Sequence, residues 1–73
     1  MNIYIVYDHP VDYPNYYVAR RFEFSNPTGE IFVNDDLEKV RDWIKSELIK
    51  QGTAGFRLER HPSDDIVILE CWI

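Results

Sequence analysis

The stretch that decides the fold is NDDLEKVRDWIKSELIKQG, residues 34–52. Its apolar residues recur at the spacing that places them on one face of an α-helix: Leu37, Val40, Ile44 and Leu48. Asp35, followed three residues later by Glu38, has the form of a capping box, and Gly52 is placed to end the helix. The pattern predicts one amphipathic helix over about residues 36–51.

Strand-like segments lie on both sides of this helix in the sequence. NIYIVYD (2–8), YYVARRFEF (16–24) and EIFVN (30–34) precede it, and GFRLER (55–60) and DDIVILECWI (64–73) follow it. They are rich in β-branched and aromatic residues, and turn-forming segments such as HPVDYPN and SNPTG separate them. The order β-β-β-α-β-β predicts a single α+β domain over residues 1–73, with the helix packed on one face of a mostly antiparallel sheet of about five strands.

The charge balance narrows the classes of partner. Thirteen acids against eight bases give a net charge of -5, and no run of like charge exceeds two residues. Binding to duplex nucleic acid needs clustered Lys and Arg against the phosphates, so this function is disfavoured. We expect a protein partner, which includes a second copy of the chain, and no duplex nucleic acid.

Cysteine content and hydropathy indicate the compartment. Cys71 is the only cysteine and lies in an apolar run, which is typical of a buried thiol in a reducing compartment. The start MNIYIVYDHP lacks the features of a signal peptide, and the longest apolar run, IVIL, is far shorter than a membrane span. We therefore expect a cytoplasmic protein without membrane attachment.

Two short segments, with His9 and Asp12 in one and His61 and Asp64 in the other, repeat the pattern His-Pro-x-Asp. If the segments met at one end of the sheet, their imidazoles and carboxylates could bind a divalent transition metal. The spacing is not that of helical or Cys-x-x-Cys metal sites, whereas His-Pro followed by Asp is typical of a turn. Turn chemistry is favoured, and the sequence predicts no catalytic residue, no metal site and no cofactor.

Alternation along the strands predicts which sheet face the helix covers. Because a charge belongs outside, Glu70 assigns its side of the last strand to the uncovered face. The core would then contain Ile3, Ile5, Val18, Phe22, Leu37, Val40, Ile44, Leu48, Val67, Leu69 and Cys71. The uncovered face would carry the predicted partner-binding residues Tyr4, Val6, Tyr17, Arg21, Ile66, Ile68 and Trp72. An apolar face with Tyr, Trp and Arg is typical of a protein–protein interface.

Three stretches carry a resemblance that extends over nearly the whole chain: YIVYDHPVDYPNYYVARRF, DLEKVRDWI and RLERHPSDDIVILECWI. They resemble a group of short, uncharacterised proteins of bacteriophage genomes and prophages. That group shares a Tyr-Asp-x-Pro-x-Asp-x-Pro start, a Val-x-Arg strand, a Leu-x-x-Val/Ala-Arg helix and a terminal Trp-Ile-like strand. The resemblance implies a viral or prophage accessory protein in the cytoplasm of a bacterial host, and it attaches no reaction to the chain.

Three functions remain compatible with the sequence. The first is a non-catalytic accessory protein that binds a host or viral protein, or itself as a homodimer, and that could counteract host defence or modulate the host. The second is a single-stranded nucleic-acid-binding module that uses aromatic and Arg side chains of the uncovered face. The third is a metal-dependent hydrolase subunit built on His9 and His61. We favour the first and expect no enzymatic activity.

Overall fold

One five-stranded sheet and one helix account for the fold. The computed structural model describes residues 2–53, 55–63 and 65–73. Within them the elements are β1 (Asn2–Asp8), β2 (Tyr17–Glu23), β3 (Asn26–Asn34), α1 (Leu37–Lys50), β4 (Arg57–Glu59) and β5 (Ile68–Trp72). The α+β class and the order β-β-β-α-β-β are confirmed.

The strand order in the sheet is β3-β2-β1-β5-β4, and every pairing is antiparallel. The first three strands pair in sequence. After α1, the strands β4 and β5 form a second antiparallel pair, and β5 joins the remaining edge of β1. The central strand is therefore β1, whose apolar residues on both sides suit an interior position.

The hairpin between β2 and β3 is tighter than the sequence predicts. The segment SNPTG was expected as a five-residue turn, but β2 extends to Glu23 and β3 begins at Asn26. Phe24, at the turn, has a φ of +58°, a left-handed conformation that lets the chain reverse within two residues. Because β3 is an edge strand, Pro27 fits within it without removing a hydrogen bond from an interior ladder.

Local hydrogen bonds fix both ends of α1. The N-cap is Asp36 rather than the predicted Asp35: its carboxylate accepts the Glu38 N–H at 3.0 Å, while Asn34 Oδ1 accepts the Asp36 N–H at 2.8 Å. At the other end Gly52 has a φ of +79°, as expected of a helix-ending glycine. The Gly52 N–H donates to the Ile49 carbonyl and the Thr53 N–H donates to the Leu48 carbonyl, each at 3.0 Å. These bonds satisfy carbonyl groups that have no partner within the helix.

The apolar stripe of α1 forms the core with one side of the sheet. Val40, Ile44 and Leu48 are buried, and they pack in one cluster with Tyr4, Val6, Ala19 and Trp72 of the strands. The Trp43 ring lies at the margin of this cluster, where Phe32 stacks on it at a centroid distance of 5.1 Å. Tyr4 meets the same indole edge-on at 5.6 Å.

The predicted assignment of the two sheet faces is wrong. The side that α1 packs on, here called the covered face, carries Tyr4, Val6, Ala19, Phe32, Glu70 and Trp72. Five residues expected in the core beneath the helix lie on the opposite side: Ile3, Ile5, Val18, Phe22 and Cys71. The reason is Glu70, whose side chain is 2% exposed and lies in the core instead of facing water. Leu69 packs against the core as predicted.

Candidate functional site

The side of the sheet opposite to α1 is the candidate site. At its centre Ile5 of β1 lies across from Arg20 of β2 and Cys71 of β5, and side chains at paired positions share a face. The register extends this set over all five strands. The open face, as we call it, consists of Ile3, Ile5, Tyr7, Val18, Arg20, Phe22, Ile31, Val33, Phe56, Leu58, Ile68, Cys71 and Ile73.

Most of the open face is apolar and only half-buried. Apart from Val18, which is fully buried, its residues keep part of their side chains in contact with water. Exposure is greatest beside β4, where Phe56 is 65% and Leu58 45% exposed. Among the described residues, the helix approaches this face at its C-terminal end, where Leu48 lines a cavity of about 350 Å³ with Phe56 and Ile73, and no strand packs on the face. The face is therefore an apolar surface of the kind that monomeric proteins seldom leave in water.

Charge is distributed unequally between the two sides of the sheet. By the strand register, all of the described strand carboxylates point toward the helix side: Asp8, Glu23, Glu30, Glu59 and Glu70. The single charged side chain among the open-face residues is Arg20. The open face thus differs from the rest of this acidic chain in carrying no carboxylate of its own.

The loop between β1 and β2 reaches the open face at one end and neutralises its cation. Asp12 of this loop forms an ion pair with Arg20, and the guanidinium of Arg20 lies 5.7 Å from the centre of the Tyr7 ring. Burial at this end raises the pKa of the Tyr7 hydroxyl, a shift that Arg20 partly opposes. Pro10 and Val18 are buried here as well. Because Arg20 lies opposite Ile5 in the register, the loop reaches the middle of the face on its β2 side, whereas Leu58 at the β4 edge stays 45% exposed.

Three of the residues predicted to bind a partner lie where no partner can reach them. Tyr4 and Val6 are fully buried and Trp72 is 6% exposed, all beneath α1. The Tyr4 hydroxyl accepts a hydrogen bond at 2.7 Å from Gln51 at the helix end, and burial raises its pKa. These residues build the core, and their predicted role as an interaction surface is wrong.

The remaining predicted site residues are scattered. Tyr17 packs at the margin of the core, and Arg21 is held on the covered side by Glu30 and Asn2, each at 2.7 Å. Ile66 is 85% exposed but precedes β5, outside the sheet. Ile68 alone of the predicted set lies on the open face, opposite Tyr7. An uncovered apolar face is present, as predicted, but this face is formed by the strand residues that alternate with the predicted ones.

A buried ion pair explains why the helix covers the face that contains an acid. Arg41 of α1 donates to both carboxylate oxygens of Glu70, at 2.7 and 3.1 Å, and Trp72 Nε1 donates to the same group at 2.7 Å. Arg57 lies 3.6 Å away. Burial alone would raise the pKa of Glu70, but the hydrogen bonds from Arg41 and Trp72 outweigh it and hold the pKa below its ordinary value.

The helix contains a signal for this pair that the sequence interpretation missed. Arg41 falls on the apolar stripe, four residues after Leu37 and three before Ile44. A cation on the buried side of a helix needs a buried anion as its partner, because an unpaired charge in the core is very costly. Glu70, an acid inside the apolar run IVILECWI, is the matching residue. Arg41 and Glu70 each interrupt an apolar pattern, and each therefore predicts the other as its partner.

The two His-Pro-x-Asp segments form separate turns in the described part of the chain. His9 Nδ1 bonds to the carboxylate of the preceding Asp8, and the His9 ring meets Tyr17 edge-on at 4.9 Å. His61 Nδ1 bonds to Ser63 Oγ at 2.6 Å. Asp64, the fourth member of the proposed metal set, lies outside the described residues. No group of three or more potential metal-binding side chains occurs within residues 2–53, 55–63 and 65–73.

The densest group of cations lies away from the open face. A groove of about 400 Å³ beside the buried ion pair is lined by Arg41, Arg57 and Arg60 together with Glu59 and Glu70. The two carboxylates of the groove offset two of its three arginines, so its net excess is a single positive charge. Single-stranded nucleic acid needs cations next to stacking surfaces, and this arrangement separates the two.

Comparison with known proteins returned no matching family model, no similar curated protein and no similar solved structure. The helix α1, at 14 residues, is too short and too polar to cross a membrane, and no other described segment is helical.

Proposed function

We propose that the chain is a small non-catalytic accessory protein that acts by binding a protein, either a host or viral protein or a second copy of itself, through its open face. The observation that carries the proposal is a sheet face that is apolar, that receives no carboxylate from its own strands and that the β1–β2 loop covers only in part. The resemblance to phage and prophage proteins supports a setting in the cytoplasm of a bacterial host. Counteracting a host defence or modulating a host protein fits that setting.

The physical argument is the free energy that the open face gains when it leaves water. Burial of apolar surface contributes roughly 25 cal/mol per Å², and the face offers aliphatic and aromatic groups across all five strands. Its one cation is already paired with Asp12, so a partner need not supply a compensating charge. The composition matches the centre of protein interfaces, which are depleted in charge and enriched in aromatic residues.

The two alternative functions receive less support. A single-stranded nucleic-acid binder would need several cations on the open face, where Arg20 is the single positive charge. A hydrolase would need the two histidines at one centre, whereas His9 and His61 each bond within their own turns. Titration of a labelled oligonucleotide and of zinc against the purified protein tests these alternatives directly. Tight binding of either probe would replace the proposal.

The proposal is tested by adding charge to the open face without touching the core. In the variant Phe56→Glu/Leu58→Glu both changes fall on exposed side chains of the open face. The matched control is Phe24→Glu/Ile49→Glu, which changes the same kinds of residue by the same charge at positions that are each 69% exposed and lie elsewhere. Both variants should stay folded, because all four positions are at least 45% exposed.

The readout is quantitative capture from bacterial lysate, followed by titration of the purified captured protein. We expect wild type and control to retain the same partner with similar affinity, and the open-face variant to lose at least about tenfold in affinity, since two buried carboxylates would lack partners. Equal binding by all three proteins would show that the open face is not the binding surface, and the proposal would fail.

A further inference from the structure

We infer that the open face is self-complementary and takes a second copy of the same chain, so that two sheets stack face to face in a homodimer. The inference rests on the proposed function, because it names the occupant of the same surface. It is carried by three properties of the face: its area, the placement of charge around it and an apolar pattern that suits two-fold symmetry.

The area suffices for a specific dimer of modest stability. Five strands about 4.8 Å apart, which range from three to nine residues in length at about 3.3 Å per residue, span roughly 500 Å². This is about a tenth of the 4816 Å² of accessible surface of the chain, the share that a standard interface takes from a small protein. Two copies together would bury about 1,000 Å², the lower limit for specific association. We therefore expect a dimer that dissociates on dilution.

Charge favours this mode of association over others for an acidic chain. Each copy carries a net charge of -5, so most surfaces of two copies repel each other. The strand carboxylates lie on the far side of the sheet from the open face, on the side where α1 packs. When the two sheets stack about 10 Å apart, the strand carboxylates of both copies point away from the interface, and their separation exceeds the screening length of about 8 Å. The open faces are the surfaces at which this repulsion is smallest.

The pattern of the face also suits two-fold symmetry. In a two-fold dimer the same patch contacts itself, so an uncharged apolar face is complementary to its own copy. Ile5 lies at the middle of the central strand, and Cys71 lies directly beside it on β5. A two-fold axis that runs across the strands stacks β1 on β1 and places the two β1–β2 loops at opposite ends of the stacked sheets. The thiol of Cys71 is then enclosed between the two copies.

Sedimentation velocity and thiol labelling of the unmodified protein test the inference together. Over a concentration series from about 1 µM to about 1 mM, the sedimentation mass should rise from 8.8 kDa to twice that value. In the same series, the rate at which Cys71 reacts with an aqueous disulfide reagent should fall as the dimer fraction rises. Because Cys71 is the only cysteine, the labelling reports this position alone.

Two variants identify the surface. Leu58→Glu, at a 45% exposed position, and Ile5→Glu, at the centre, should both stay at the monomer mass with fast labelling at every concentration. Ile49→Glu adds the same charge on the outer side of α1 and should dimerise like wild type. A wild-type mass of 8.8 kDa at all concentrations overturns the inference, and so does a dimer that persists in Leu58→Glu with an unchanged labelling rate.

The outcomes also separate this inference from the proposed function. A chain that stays monomeric, but whose captured partner is lost in the Phe56→Glu/Leu58→Glu variant, contradicts the homodimer and leaves protein binding through the open face in place. A monomeric chain whose capture is the same in all variants contradicts both.

Discussion

The two faces of the sheet are built from alternate residues of the same strands, yet they have opposite compositions. The covered face joins Tyr, Val, Ala and Trp side chains to a buried carboxylate. The open face has Ile, Val, Phe and Leu side chains and a single cation, already paired within the chain. The more aliphatic face is the one left uncovered. Hydrophobicity alone therefore did not select the face on which the helix packs.

The difference shows that matched polar groups can determine which face becomes the core. Glu70 accepts hydrogen bonds from Arg41 and Trp72, so its burial leaves no buried side-chain atom unsatisfied among the described residues. An aliphatic face has no such requirement and can remain at the surface until a partner covers it. The covered face is thus specified within the chain, while the open face is available for association.

Breaking the buried ion pair between Arg41 and Glu70 should cause the largest loss of stability, because this pair distinguishes the covered face from the open face. Arg41→Met keeps most of the apolar stem but leaves the Glu70 carboxylate buried with its strongest partner removed. We expect a loss of about 3–5 kcal/mol in the free energy of unfolding, measured by urea denaturation. The double variant Arg41→Met/Glu70→Gln removes both charges and should recover much of the loss. A single variant as stable as wild type would show that the pair does not specify the covered face.

Truncation of one aliphatic side chain on each side of the sheet should cause smaller losses of stability, and the loss should be larger on the covered side than on the open side. Ile44→Ala opens a cavity between α1 and the covered face and should cost about 2–4 kcal/mol. Leu58→Ala on the open face removes a side chain that is already 45% exposed and should cost less than about 1 kcal/mol at concentrations where the chain is monomeric. Equal shifts in the urea midpoint would contradict the assignment of the two faces.

Lowering the pH should reduce the stability that Glu70 contributes on the covered face, and this is the smallest of the expected effects. Because the pKa of Glu70 lies below the ordinary value of 4.5, ionised Glu70 stabilises the fold above that pH. The contribution is lost as the pH falls through the lowered pKa of the folded state. The stability difference between wild type and Glu70→Gln should therefore be constant near neutral pH and narrow below about pH 4.5. A difference that does not change with pH would exclude ionised Glu70 as the source.

Much of the fold could be predicted because its local signals agree. The spacing of Val40, Ile44 and Leu48 predicts the helix and its buried side, and Gly52 predicts its end. The strand segments predict the element order, since turn-forming residues separate them. The strand boundaries were less accurate in β3, where Pro27 and Gly29 indicated a turn but lie within an edge strand.

The sheet faces could not be predicted by alternation because β1 and β5 are apolar on both sides. In such strands one charged residue decides the assignment, and Glu70 was assigned to water by the general rule for a lone charge. Only its partner on another element reverses that assignment. Arg41 lies 29 residues away in sequence, so no local pattern links the two. Because the two faces were exchanged, the residues predicted to bind a partner were those beneath the helix and not those of the open face.

Two neighbouring substitutions in β1 test the central claim most directly. Val6→Glu places a carboxylate under the helix, opposite Glu70, whereas Ile5→Glu places one on the open face. In urea denaturation at low protein concentration, we expect Val6→Glu to be largely unfolded and Ile5→Glu to retain a cooperative transition near that of wild type. If Ile5→Glu unfolds the chain while Val6→Glu leaves it folded, the helix covers the other face and the open face described above is the core.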